Sequence, residues 1–246
     1  MVAATDRKGG RVASATAKRK AAADGVLISQ DIEARLKGDI LDGRFPPGSK
    51  LGTAMLQAAY GTSVGTLREA LSHLRSEGLV EMEAGRGFRV APVSAEDLRD
   101  VSALYVEMEE RAAVDSVRHG DEEWETGVLT SFHRLARIEA LPREERIRRS
   151  SEWLVCHREF HLALVAGCRS RWMLRLRAQL FDHMERYRLI SQKHRPLSMT
   201  KRREHEMIRD AALARRAEET GVLLRRHLEE TTETVLRHAP QFMPSE

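Results

Sequence analysis

The chain has 246 residues, enough for two modest domains that each bury a core. Charged residues make up 32% and aromatics 5%, no apolar run nears the roughly 20 residues of a membrane span, and the N-terminus has no signal-peptide core, so the composition points to a mainly helical, cytoplasmic protein with no membrane partner. The net charge of +4 is uneven: residues 1–92 hold 14 Lys and Arg against 10 Asp and Glu, whereas residues 93–246 hold 27 against 27, which puts the basic excess where a phosphate-binding face would need it.

Residues 1–24, rich in Ala, Gly, Lys and Arg and without apolar periodicity, read as a disordered basic tail. Ile28, Ile32, Leu36 and Ile40 form one stripe of a helix that Gly43 stops, and Pro46-Pro47-Gly48 turns the chain into a short extended piece. Thr53 can cap a following helix with Met55, Leu56 and Ala59 facing inward, and Tyr60-Gly61 is the turn into the next. There Thr62 and Ser63 offer cap oxygens, and Leu67, Ala70, Leu71 and Leu74 recur at spacings of three and four. The opposite face begins with slim or polar groups, Ser63, Gly65, Thr66 and Arg68, as a helix entering a major groove requires. Gly78 ends that helix. Leu79–Met82 and Phe88–Ala91 read as two strands, and the Gly85-Arg86-Gly87 tip between them can set Arg86 in a minor groove and the Gly87 backbone on phosphate.

Residues 93–97 read as a linker with an N-cap at Ser94, and residues 98–238 as an all-α domain closed by a short tail at 239–246. Helices are expected over 95–118, 121–139, 143–167, 170–194, 198–215 and 217–237, punctuated by Gly120, Pro142, Gly167, Pro196 and Pro240. Cys156 and Cys168 are too few for a disulfide framework and read as buried thiols. His157 and His161 stand at i and i+4, so both rings can reach one metal. A zincin needs Glu next to its first His. In His157-Arg-Glu-Phe-His161 the Glu is two positions on, about 200° around the helix, and no phosphate loop or nucleophile elbow appears, so the chain is not read as an enzyme.

Gly43-Arg-Phe-Pro-Pro-Gly-Ser-Lys-Leu51, Leu67-Arg-Glu-Ala-Leu71, Glu77-Gly-Leu-Val80 and Gly85-Arg-Gly-Phe-Arg-Val90 together resemble the DNA-binding domain of the GntR family of bacterial transcription regulators. Phe160-His161, Glu204-His205 and His227-Leu228, separated by 44 and 22 residues, resemble the FCD effector domain of the FadR-type branch. The resemblance covers roughly residues 25–237. It implies a winged helix-turn-helix over 25–92 with a two-stranded wing, and an FCD-like helical bundle behind it. It further implies a repressor that binds an inverted-repeat operator as a homodimer and answers to a small carboxylate held at a metal.

Departures from the family pattern sharpen these expectations. Val64 stands where an Arg usually reads guanine, so base readout falls on Thr66, Arg68 and the wing, or Val64 meets a thymine methyl. The metal set implied by the resemblance is His157, His161, His205 and His227, with His157 replacing the usual Asp. Either the site becomes four imidazoles, which favour zinc, with nickel as the alternative, or it is weakened. Arg188 and Tyr187 are the candidates for a carboxylate grip, in the stripe that follows Leu176, Leu180 and Met184. Tyr105 occupies the position of the family's inward Arg. Gly120-Asp-Glu-Glu-Trp124, Val165-Ala-Gly-Cys168 and Arg186-Tyr-Arg188 resemble the glutarate-responsive carbon-starvation regulators, which makes a dicarboxylate such as glutarate the expected effector. The alternative is a metal-responsive regulator whose ion is itself the signal.

Overall fold

The stripe of Ile32, Leu36 and Ile40 is fully buried on a helix, α1, over residues 29–41, in a computed structural model that describes residues 29–192 and 200–238. The tail expected at 1–24 and the segment 239–246 lie outside the described residues. By its internal contacts the chain divides into two units, Met1–Pro92 and Val93–Glu246.

In the first unit α1 is followed by β1 (Lys50–Leu51), α2 (Thr53–Tyr60), α3 (Val64–Ser76), β2 (Val80–Glu83) and β3 (Gly87–Val90). The strands form an antiparallel sheet in the order β1-β3-β2, with Leu51 opposite Phe88 and Met82 opposite Phe88 on the other side. The wing is therefore three-stranded rather than two-stranded, because the extended piece after Pro46-Pro47 pairs with β3. α2 also differs from expectation. Gly52, not Thr53, is its N-cap and supplies no side-chain bond. Leu56 and Tyr60, one turn apart, face the core, while Met55 is 44% exposed. The Tyr60 hydroxyl donates to Asp39 of α1, which fixes the two helices. α3 is capped as the sequence suggests: Ser63 Oγ accepts from Thr66 N at 3.1 Å. Leu67, Ala70, Leu71 and Leu74 are at most 1% exposed, and each of the leucines contributes roughly 1.5–3 kcal/mol to holding α3 on the core. Gly61 and Gly78 adopt φ of 63° and 76°, the left-handed values that the two chain reversals need.

The second unit holds α4 (Ala95–His119), α5 (Glu122–Glu139), α6 (Arg143–Arg148), α7 (Ser150–Val165), α8 (Arg171–Gln192), α9 (Thr200–Leu213) and α10 (Ala217–His238). The helix expected over 143–167 is two helices. Arg149 leaves helical geometry (φ −102°, ψ 24°), and its guanidinium clamps Glu152 through two 2.7 Å bonds. α4 packs along α10, α8 and α7, and α5 packs on α7 and α9. The approach of α10 to α4 needs Gly221, where a Cβ would stand 2.8 Å from Val114 Cγ2. Three turns further along α10, a buried Ser102–Thr232 hydroxyl pair at 2.7 Å ties the same two helices.

Candidate metal centre and nucleic-acid interface

Three helices bring four histidines together inside the second unit. α7 turns His157 and His161 inward at a ring separation of 4.4 Å, α9 brings His205 and α10 brings His227. All four rings are 0–2% exposed, and one nitrogen from each lies within 4.8 Å of the others. Packing alone does not explain the arrangement. His161 Nδ1 donates to Glu109 at 3.3 Å, His205 Nδ1 to Glu139 at 3.0 Å, and His227 Nδ1 to Glu204 at 2.6 Å. A carboxylate can only accept, so it fixes the Nδ1–H tautomer and leaves a lone pair on Nε2. The Nε2 atoms of His161, His205 and His227 are buried and make no hydrogen bond among the described residues. Leaving three such atoms unsatisfied costs about 1–3 kcal/mol each. Imidazoles backed by carboxylates and converging by Nε2 are the donor set of a borderline divalent ion, and these residues fit one.

The electrostatics keep His157, His161 and His227 neutral. Burial pushes His157 and His227 well below their ordinary range, and the neighbouring Arg188 guanidinium adds to this at His157. Burial also lowers His161, to about 4, against the pull of Glu109. Burial raises Glu109 itself, but the Arg177 guanidinium and the His161 bond outweigh it and bring the carboxyl down to about 2. Arg177 grips Glu109 through Nε and through Nη2, the latter at 2.9 Å, with both residues essentially inaccessible.

The expected effector residues divide. Arg188 is at the cluster: its Nη1 lies 2.5 and 2.9 Å from the two ring nitrogens of His157, and 3.1 Å from Glu185. Tyr105 is buried nearby, edge-on to Phe181 at 5.9 Å, and Phe181 in turn stands 6.4 Å from His161. Among the described residues its hydroxyl makes no hydrogen bond of ordinary geometry, and the Arg177 guanidinium lies 6.0 Å from its ring. Tyr187 is elsewhere. Its hydroxyl donates to Asp97 at 2.5 Å and accepts from Ser94 N at 3.2 Å, joining α8 to the first turn of α4. The stripe also differs: Leu176 is 41% exposed, and the inward positions are Arg177, Phe181, Met184 and Arg188. Glu109, Glu139, Glu204 and Arg177 were not singled out from the sequence as site residues. One signal for Arg177 was there, since 177, 181, 184 and 188 follow the 4-3-4 spacing of a single helix face.

In the first unit the expected DNA-facing residues lie together at the start of α3. Ser63, Val64, Gly65 and Arg68 are exposed, and Thr66 is half-buried with its hydroxyl 2.9 Å from Ser63 Oγ. Arg68 makes no ion pair among the described residues, which leaves its guanidinium available. On the wing, Gly85 and Gly87 take φ of 74° and 88°, and Arg86 projects from the turn between them, pairing with Glu83 at 3.1 Å.

Residues 28–90 match the family described as bacterial regulatory proteins, gntR family, and residues 100–230 match the FCD domain. The chain is similar to the HTH-type transcriptional regulator BphR of Paraburkholderia xenovorans (strain LB400), 40% identical over 201 residues that cover 82% of each protein. It is also similar to the HTH-type transcriptional repressor GlaR of Escherichia coli (strain K12), 38% identical over 206 residues, 82% of this chain and 93% of that one. Among solved structures, E. coli McbR/YncC superposes with a TM-score of 0.71 at 19% identity, over 85% of this chain and 97% of that one, a likeness of fold alone.

Proposed function

The chain belongs to the GntR family of bacterial regulatory proteins and is a DNA-binding transcription regulator with an FCD domain, not an enzyme, and from that premise we propose that it represses from an inverted-repeat operator until a small carboxylate joins a divalent metal in the FCD domain. Repression is supported by the similarity to the repressor GlaR. A homodimer follows from the chemistry of readout, since one recognition helix supplies few base contacts and two-fold symmetry doubles them. Ser63, Val64, Gly65, Thr66 and Arg68 would face the major groove, with Arg86 and Gly87 of the wing on the adjacent groove and phosphates.

The observation that carries the metal-centred reading is the set of three buried Nε2 lone pairs, each on a ring held from behind by a carboxylate. His161, His205 and His227 would hold the ion, with His157 as a fourth donor. Imidazoles favour zinc, then nickel, over hard cations. A bound divalent ion would supply a fixed +2 charge that attracts an anion. Arg188, at the edge of the same cluster, supplies a guanidinium fork for a carboxylate. A dicarboxylate such as glutarate has one end for each. Signal would leave through α8. Tyr187 follows Arg186 and precedes Arg188 on that helix, and its hydroxyl holds Asp97 and Ser94 at the start of α4, two residues beyond the boundary at Pro92. Regulation of this kind is a coupling free energy between sites, not a direct clash.

The second reading, an ion-responsive regulator, is favoured by the complete burial of the four rings, which would enclose an ion without a further ligand. Both readings are tested on a DNA fragment selected from a random library by the purified protein. Release by zinc with glutarate, and by neither alone, supports the carboxylate reading. Release by zinc alone supports the other, and no response to either overturns both.

A further inference from the structure

Each carboxylate behind a histidine ring is itself anchored by a second donor. Arg177 holds Glu109 behind His161. Lys201 Nζ, 2.8 Å from Glu204, holds the carboxylate behind His227. Behind His205 the anchor is neutral. Trp153 Nε1 donates at 3.1 Å to Glu139 Oε1, the same oxygen that accepts from His205 Nδ1 at 3.0 Å. Trp153 is buried, and an indole has one N–H and no acceptor, so this bond satisfies its whole polar requirement.

His157 is held in a different way. Among the described residues no carboxylate is bonded to its nitrogens, and Arg188 Nη1 lies 2.5 and 2.9 Å from the two. Such near-equal distances put the guanidinium over the ring, off both in-plane lone pairs. Trp153, one turn earlier on α7, stands against the ring at 4.7 Å and 31°. His161, one turn later, stands at 4.4 Å and 40°. The ring is fixed by its faces, which leaves its nitrogens at the rim for a donor bond. Of these two aromatic neighbours, Trp153 is the one that is not itself a candidate donor, and its own rotation is set by the bond to Glu139.

We propose that Trp153 positions two of the metal donors at once: its indole face sets the His157 ring, and its indole N–H sets the carboxylate that aims His205. The inference rests on the metal-centred reading above and names the residue that joins the donors of α7 and α9. Trp153 is a positioning residue, acting through a ring on one side and a carboxylate on the other. The second route runs from α7 through Glu139, the last residue of α5, to α9. The two effects are separable because the two contacts differ in kind. Phenylalanine keeps an aromatic face and lacks the N–H, whereas leucine lacks both.

The test uses the full chain labelled with ¹⁵N in its imidazoles and titrated with zinc against a competing chelator. In the unaltered protein all four rings move to metal-bound shifts. Trp153→Phe keeps that pattern but binds zinc about tenfold more weakly, the lower end of what groups behind a metal ligand contribute. In Glu139→Ala, where no carboxylate remains to be anchored, the same change costs no further affinity, because two changes on one route do not add. In Trp153→Leu, zinc moves His161, His205 and His227 and leaves His157 at its metal-free shifts. His157 moving with zinc in Trp153→Leu overturns the positioning role. So does a Trp153→Phe variant that binds zinc unchanged, or whose loss persists in full beside Glu139→Ala. Zinc that moves three rings of the unaltered protein and not His157 also overturns it, while leaving the metal site in place. Zinc that moves none of the rings overturns the metal-centred reading itself. If Trp153→Leu does not fold, Trp153→Phe with and without Glu139→Ala decides the matter.

Discussion

Glu109 and Glu139 both orient a histidine, yet their removal should have different consequences. Glu109 is fully buried and answers two partners, His161 Nδ1 and the doubly bonded, 1% exposed Arg177. Glu109→Gln removes the charge that neutralises that guanidinium. Breaking a buried pair from one side costs about 3–5 kcal/mol, because the surviving charge is left without compensation. In a domain of this size each kcal/mol moves the melting temperature by about 2–4 °C, so the variant should melt about 6–20 °C lower. Glu139 Oε1 accepts from Trp153 Nε1 at 3.1 Å and from His205 Nδ1 at 3.0 Å. Neither partner carries a fixed charge, and the amide oxygen of Gln can accept both bonds. Glu139→Gln should therefore cost only about 1 kcal/mol in stability. Zinc affinity should fall about 10–100-fold in both variants, since both lose the negative charge behind a ligand ring. Thermal melting by circular dichroism and zinc competition against a chromophoric chelator measure the two effects separately. If Glu109→Gln melts with the unaltered protein, the ion pair does not stabilise the bundle as argued; if Glu139→Gln binds zinc unchanged, the carboxylates are not ligand-orienting groups.

Other expectations follow from single features. Arg68→Ala should lower operator affinity by about 1–3 kcal/mol per half-site with an unchanged melting curve, because the side chain is exposed and makes no ion pair among the described residues; equal affinity in a gel-shift titration would remove Arg68 from the interface. Tyr187→Phe deletes the bonds to Asp97 and Ser94 but keeps the packing, so zinc and glutarate should bind as before while acid-induced release of DNA weakens several-fold; intact release would rule out this route. Buried His157, His161 and His227 titrate below the ordinary 6.5, so the unfolded chain binds protons first and stability is complete above 6.5 and lost as the pH falls, for His161 down to about 4. Urea denaturation of the protein between pH 7 and 4.5 should show that decline, and a flat profile would contradict neutral rings.

The DNA-binding unit was legible because its signals are local. Ser63, the apolar face of α3, Gly61, Gly78 and the wing tip all act over three to five residues, and each stands in the structure where the sequence puts it. What failed there was register: a one-residue offset on a helix is about 100°, enough to leave Met55 and Ala59 outside while Leu56 stays in the core, and to turn Tyr60 from a loop residue into a core residue. The same offset separates Tyr187, which faces α4, from Arg188, which faces the histidines. The histidine set was legible through the 44- and 22-residue spacings. Its carboxylates were not, because partner choice is made by tertiary packing across 52 residues for Glu109 and His161 and 66 for Glu139 and His205. Glu204 was in view beside His205, but it serves His227 instead, on the next helix.

Isothermal calorimetry of glutarate into zinc-loaded protein, with His161→Ala as the paired sample, tests the metal-centred account most directly. His161 supplies one of the three Nε2 atoms that make no hydrogen bond among the described residues, whereas Arg188 contacts His157. The account predicts saturable binding to the unaltered protein, no binding after chelation, and no binding to His161→Ala, which should still hold DNA. Glutarate that binds His161→Ala as tightly as the zinc-loaded protein would contradict it.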